Sequence, residues 1–372
     1  MNRDDKLPGA TSADELIGKA QPNAEITYLK GIIKKREASI SRQQVRIGAL
    51  EDVSELFGDA IRALPPPQQI DYRIPKGKKV STIMAHAVIT DLHAEETIDP
   101  EEMEGYGCYS WSVFLDRMWH TITKCIQIVD LARHSNRVTE ISVFLLGDNV
   151  TGDIHADGER TASISLPLAI VEIGDIIAQS LNYLSAHFEK VTVVCICGNH
   201  GRKDLKPVTK QRADRNWDSS VYHIARKITR DNHRIEWIIP RSPAIIYNAP
   251  GVDFLLKHGD GIMSSGTTPY YGIVRDTARE QSKRRKEGGF DYVIQGHLHH
   301  YGLVEGCRII APSLIGPNQY SFNLLHATYP AEQLLLFTSA EHGLISQHPI
   351  KFTDMSSSHG FLSDELSVRA IG

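Results

Sequence analysis

Three observations predict an α/β fold. Short apolar runs recur through residues 79–352, at Ala85–Ile89, Ile141–Leu146, Val191–Ile196, Phe254–Lys257 and Tyr292–Ile294. Longer stretches between them carry apolar residues at helical spacing. The short runs are continuous rather than alternating, as expected of strands in sheets covered on both faces.

The elements follow in order. Residues 1–23 are polar, with Pro8, Gly9 and Pro22, and are expected to be flexible. Residues 24–64 read as helical, with Ile26, Leu29, Ile33, Ile40, Ile47, Leu50 and Phe57 near a heptad seam. Arg36, Gln43 and Ser54 occupy seam positions, and Gly31 and Gly48 interrupt. Two readings stay open: a coiled coil that joins copies of the chain into a homo-oligomer, or a helix packed on the main domain. Pro65-Pro66-Pro67 stops the helix and opens a linker over 65–78. The main domain then spans 79–352. Trp111–Ala132, Ile164–Phe188, Asp218–Ile228 and Thr277–Lys286 read as its helices, with late strands at Arg308–Ile310 and Leu334–Phe337. Residues 353–372 are Ser-rich and expected to be a mobile tail.

The 372 residues carry 41 Lys and Arg against 45 Asp and Glu, a net charge of -4. That excludes a global attraction to nucleic acid or acidic membranes, though local basic runs remain. The five cysteines form no CxxC pair, and their odd number speaks against a disulfide framework. No stretch has the length and apolarity of a membrane span, and the N-terminal residues form no signal-type apolar run. A cytoplasmic location without membrane attachment is expected.

The candidate chemistry lies directly after the strands. The first delivers Asp91 and His93, an oxygen and a nitrogen ligand two residues apart and so on one side of a strand end. The next three deliver Gly147-Asp148-Asn149, Gly198-Asn199-His200 and His258-Gly259-Asp260. The fifth delivers Gly296-His297-Leu298-His299. Ligands collect at the carboxyl ends of strands in α/β sheets. The glycines before Asp148, Asn199 and His297 are expected to let the backbone turn sharply there. Carboxylate, amide oxygen and imidazole together suit first-row divalent ions rather than a pure oxygen-binder. Two such ions can clamp a phosphoryl group and activate a water. Any single histidine is more often a surface or core residue. That plainer reading is kept for His86, His120, His134, His187, His223, His233, His326, His342, His348 and His359, while His300 is left open.

Taken together and in this order, DxH, GDx, GNH, a lone His and GHxH resemble the calcineurin-like metallophosphoesterase family, over roughly residues 80–340. The resemblance implies a β-sandwich of two mixed sheets flanked by helices. It implies two divalent ions, Mn2+ foremost, with Fe, Zn, Ni or Co as other candidates. Asp91, His93, Asp148 and His299 would hold the first ion. Asp148, as bridge, with Asn199, His258 and His297 would hold the second. A bridging hydroxide would attack phosphorus in line. His200 would stabilise the developing charge and protonate the leaving oxygen, with Asp260 or Asp153 as compensating acid.

The substrate is less legible. Gly147–Asp153 lacks the arginine that protein phosphatases of this superfamily carry, which disfavours that activity. The GHxH ending resembles the phosphodiesterase and Mre11/SbcD-type nuclease branches, whereas Gly201 stands where an acid is usual. Basic stretches at Arg202–Arg215 and Arg275–Lys286 could contact a phosphate backbone or be solvated faces. Arg202, Asn318 and Tyr320 are candidate substrate contacts. The leading expectation is an exonuclease-like DNA nuclease. The alternatives are a nucleotide or cyclic-nucleotide phosphodiesterase or phosphatase, and an assembly protein with a structural metal site.

Overall fold

Strand β1 (Ile83–Ile89) sits in the middle of a six-stranded sheet and is buried along its whole length. The protein is represented by a computed structural model that describes residues 30, 32–38, 40–41, 81–154, 162–207, 209–262, 270–353 and 359–362. The chain divides into two compact units, Met1–Pro65 and Pro66–Gly372. In the first, Lys30, residues 32–38 and residues 40–41 are helical, with Ile33 54% and Ile40 52% exposed. The rest of the expected 24–64 helix, the 1–23 segment and the 65–78 linker lie outside the described residues.

The second unit alternates as expected. After β1 come α1 (Trp111–Arg133), β2 (Glu140–Leu145), α2 (Leu166–Ser185), β3 (Lys190–Cys195), α3 (Trp217–Ile228) and β4 (Ile235–Ile238). Then follow β5 (Ala244–Ala249), β6 (Val252–Lys257), α4 (Tyr270–Arg284), β7 (Tyr292–Gln295), β8 (Gly302–Val304) and β9 (Arg308–Ile310). The last elements are α5 (Gln319–Leu325), β10 (Glu332–Ser339) and β11 (Gly343–Lys351). The helix starts have local causes. The Ser110 side chain accepts from the Val113 N–H at 3.4 Å, Asn216 caps α3, and proline occupies the first turn of α2.

The strands form two mixed sheets. The first has the order β11-β10-β1-β2-β3-β4 and the second β5-β6-β7-β9-β8. Strands β1 to β4 pair in parallel, as do β6, β7 and β9, while β10, β11, β5 and β8 run antiparallel to their neighbours. The sheets pack face to face. Val88, Phe144, Val194, Leu334 and Leu336 of the first meet Phe254, Leu256, Ile294 and Ile309 of the second. Helices cover the outer faces. Helix α2 packs on β3 and α3, while α4 is tied to the second sheet by Lys257 Nζ–Asp276 Oδ2 at 2.5 Å. This is the sandwich that the resemblance implies. The four edge strands β4, β11, β5 and β8, and helix α5, are additions that the apolar runs did not signal.

Residues 359–362, within the stretch expected to be mobile, lie against α1 and α2. Phe361 is buried edge-on to Trp119, and the Leu362 N–H donates to Gln179 Oε1 at 2.9 Å. Residues 354–358 and 363–372 lie outside the described residues. No helix among the described residues is long and apolar enough to cross a membrane.

Candidate dinuclear metal centre

Parallel pairing aligns the carboxyl ends of β1, β2 and β3 at one rim of the first sheet, and those of β6 and β7 at one rim of the second. The loops leaving those five ends carry all the sequence-derived ligands. They are locked to one another by backbone bonds: Asp91 N–H to Gly147 carbonyl at 3.0 Å, and His93 N–H to Asp148 carbonyl at 3.1 Å. Across the sandwich, the His297 N–H donates to Asp91 Oδ2 at 3.0 Å.

The loops are strained where the ligands sit. Asp91, His93, Asp148, His297 and His299 have φ of 53°, 44°, 53°, 69° and 56°. Left-handed backbone is uncommon for residues with a Cβ and persists only where surroundings enforce it. The glycines answer to a different need than the one expected. Only Gly147 has positive φ, +95°, whereas a Cβ on Gly198 would stand 2.1 Å from Asp148 Oδ1, and one on Gly296 2.4 Å from Asp91 Oδ2. Close approach to the carboxylates, more than turning, excludes side chains at Gly198 and Gly296.

The side chains converge in two groups. Ligand atoms of Asp91, His93 and His299 lie within 4.8 Å of one another, as do those of Asp148, His258 and His297. A third cluster, His93, Asp148 and His200, joins the two halves. His299 Nε2 is 3.2 Å from Asp91 Oδ1. His258 Nε2 is 2.9 Å from Asp148 Oδ2 and 3.1 Å from Asn199 Oδ1.

This geometry fits bound cations. His258 Nδ1 lies 2.8 Å from the Leu146 carbonyl oxygen, which can only accept, so Nδ1 carries the hydrogen. A neutral His258 therefore turns a lone pair toward two oxygens that also carry lone pairs. Only a proton or a metal ion between them relieves that. Burial opposes the charged form of His258, but the Asp148 carboxylate outweighs it and pushes the ring up to about 10. His299 is raised likewise, with burial overcome by Asp91. By contrast, burial and the neighbouring His200 hold His93 well below its ordinary value, and burial with His258 brings His297 down to about 4. His93 Nε2 is buried with no hydrogen-bond partner. An orphaned buried atom of ligand type is costly unless a group other than protein satisfies it.

Several residues that support the site carry no sequence signal of doing so. Asp218 is buried, and its carboxylate accepts from the N–H groups of Asp148, Asn149 and Gly198 at 3.0, 3.0 and 2.8 Å, and from Asn149 Nδ2 at 2.9 Å. It thereby fixes the GD and GN loops together. Its place in the first turn of α3, just past the Asn216 cap, reads in sequence as an ordinary helix-dipole partner. Glu95 is buried too, and its Oε1 accepts from the N–H groups of Thr151 and Gly152 at 2.8 and 2.9 Å. Burial pushes Glu95 up to about 7.

The remaining candidates fall as follows. His200 donates its backbone N–H to Asp148 Oδ1 at 2.7 Å and stacks edge-on to His93, ring centroids 4.7 Å apart. Asp260 is paired with Arg212, and Asp153 is exposed. Glu96 is a further buried carboxylate near the site, raised above its ordinary value by burial. The Arg202 guanidinium donates to the carbonyls of Asn199, Asp204 and Leu205 at 3.0, 3.0 and 3.3 Å, which folds its own loop. Asn318 caps α5, and its Nδ2 reaches Glu96 Oε1 at 3.4 Å. Tyr320 is 62% exposed.

No protein-family model and no curated protein matches the chain. Solved structures do match it loosely. A dimetal phosphatase from Danio rerio is 13% identical, over 73% of this chain and 99% of that one, with a TM-score of 0.34. Wild-type Vps29 complexed with Zn2+ from Entamoeba histolytica is 14% identical over 73% and 100%, TM-score 0.27. A predicted phosphoesterase from Streptococcus pneumoniae is 9% identical over 72% and 98%, TM-score 0.27. Likenesses at these identities and scores carry no weight for activity, which rests on the side chains themselves.

Proposed function

We propose that this chain is a metal-dependent phosphoesterase that hydrolyses phosphodiester bonds. The observation that carries this reading is the pair of converging ligand groups, joined through Asp148, with His258 Nε2 turned on two oxygens and His93 Nε2 left without a partner. Asp91, His93, Asp148 and His299 would hold one divalent ion, and Asp148, Asn199, His258 and His297 a second. Bound there, two such ions supply Lewis-acid polarisation of a phosphoryl group and lower the pKa of a water. Manganese is the first candidate, and a nitrogen-rich ligand set equally suits Zn, Fe, Ni or Co.

The chain's own residues do the rest. His200 holds a hydrogen on Nδ1, because the Thr151 carbonyl 3.1 Å away can only accept. Its Nε2, once protonated, is the group that delivers a proton to the leaving oxygen.

For the substrate, a DNA nuclease draws support from the basic stretches. Part of that charge is already answered, however: Arg212 by Asp260, Arg215 by Asp204, and Lys283 and Arg284 by Glu280. That favours the second reading, a nucleotide-sized phosphodiester, over a long phosphate backbone, whose neutralisation needs several free cations. The test is a Mn2+-dependent panel of a small aryl phosphodiester, mononucleotides, cyclic nucleotides, and labelled single- and double-stranded DNA. Turnover of the small diesters with little DNA cleavage is expected. DNA cleavage at higher kcat/KM than any small diester would reverse the substrate order. Inactivity on every phosphoester with Mn2+, Zn2+ or Ni2+ would leave a structural metal site and overturn the enzyme.

A further inference from the structure

Thr151 lies three residues past Asp148, outside the metal ligands, and all its polar atoms are engaged around the site. Its N–H donates to Glu95 Oε1 at 2.8 Å. Its carbonyl oxygen lies 3.1 Å from His200 Nδ1. Its hydroxyl donates to Glu96 Oε2 at 2.9 Å and stands 3.1 Å from His93 Nδ1.

Proton counting fixes the directions. A hydroxyl has one hydrogen to give, and the Thr151 hydrogen goes to Glu96. What Oγ1 has left for His93 is a lone pair, so His93 Nδ1 carries the hydrogen. His93 Nε2 is then a bare lone pair, and it is the buried nitrogen without a partner that faces Asp91 and His299. Metal-ligating histidines usually give their other N–H directly to a carboxylate or carbonyl. Here Glu96 Oε2 is 3.9 Å from His93 Nδ1, beyond hydrogen-bond reach, and the threonine hydroxyl bridges the gap. Glu96 is itself held from outside by Asn318, the cap of α5.

We propose that Thr151 is a positioning residue: with Glu96 it forms a carboxylate–hydroxyl–imidazole relay that fixes the His93 tautomer and aims Nε2 at the first metal position. The relay rests on the dinuclear reading above. The same residue aims His200 through its backbone carbonyl, a contact that does not depend on the side chain. Loss of the hydroxyl therefore affects His93 and spares His200.

The test compares wild type, Thr151→Val, which keeps the shape without the hydroxyl, and Thr151→Ser, which restores it. Mn2+ is titrated calorimetrically into the metal-free full chain. Nitrogen-15 histidine spectra of the same metal-free samples report the ring tautomers. Wild type is expected to bind two Mn2+ ions. Thr151→Val should weaken one of them by about 10- to 100-fold, leave the other unchanged, and mix the His93 tautomers but not those of His200. Thr151→Ser should recover the wild-type pattern. Two full-affinity Mn2+ sites in Thr151→Val, with an unmixed His93 tautomer, would overturn the relay while leaving the dinuclear reading intact. A wild type that binds fewer than two Mn2+ ions would overturn the dinuclear reading, and the relay with it. A spectrum showing the hydrogen on His93 Nε2 in wild type would overturn the relay alone.

Discussion

His86, within β1, and His93, just past its end, are both buried, yet the same run of chain places them in opposite circumstances. His86 lies inside the sandwich, stacked on Phe144 at 5.5 Å and edge-on to Phe254, with Thr338 Oγ1 2.8 Å from its Nε2. Burial alone lowers it to about 3, so it stays neutral and acts as a polar member of an apolar core. His93 lies at the rim among two aspartates and two other histidines, and turns an unpartnered nitrogen into that cluster. Burial by itself therefore says nothing about function. What distinguishes the two is whether the ring's second nitrogen faces apolar atoms or other ligands.

Four variants break or sharpen that contrast. The largest effect belongs to Asp148→Asn at the rim, which removes the bridging charge. Hydrolysis should fall by about a thousand-fold, at the upper end for loss of one electrostatic contributor, and one Mn2+ site should be lost. Activity within a few-fold of wild type would refute the bridging role. In the interior, Phe254→Ala should cost about 3–5 kcal/mol in urea denaturation and leave the Mn2+ affinity of the folded fraction unchanged, since no ligand touches that ring.

Asp218→Asn probes the join between the regions. Either amide orientation sets an NH2 against two N–H donors that the carboxylate now satisfies. A loss of about 2–3 kcal/mol is expected, together with weaker Mn2+ binding because both loops loosen. An unchanged melting temperature would mean that water replaces the carboxylate.

The smallest effect concerns pH. His86 has a folded value of about 3 against an ordinary 6.5, so between those values the unfolded chain binds one more proton. Stability from this group is fully present above about 6.5 and declines as pH falls, by about 1.4 kcal/mol per unit. The double variant His86→Phe with Thr338→Val should flatten that decline when stability is measured at pH 6 and pH 5. Identical slopes in wild type and variant would show that His86 is not the group responsible.

The five ligand loops were legible because each follows an apolar run, and a parallel sheet brings the ends of such runs to one rim. Asp91, His93, Asp148, Asn199, His258, His297 and His299 stood among the candidates at those ends, and the family resemblance singled them out. The reading was less apt where residues act by packing rather than by type. Arg202 looked like a free cation beside the site, but three carbonyls of its own loop surround it. The glycines looked like turning points, but two of the three leave room for carboxylates.

The sequence by itself determined the alternation of strands and helices and which side chains could ligate a metal, because both follow from local pattern and residue chemistry. Only the tertiary structure decided which nitrogen of His93 and of His258 faces the cluster, and that Asp218, Glu95, Glu96 and Thr151 hold its loops. Those facts depend on hydrogen bonds between residues far apart in the chain, whose partners no local pattern specifies.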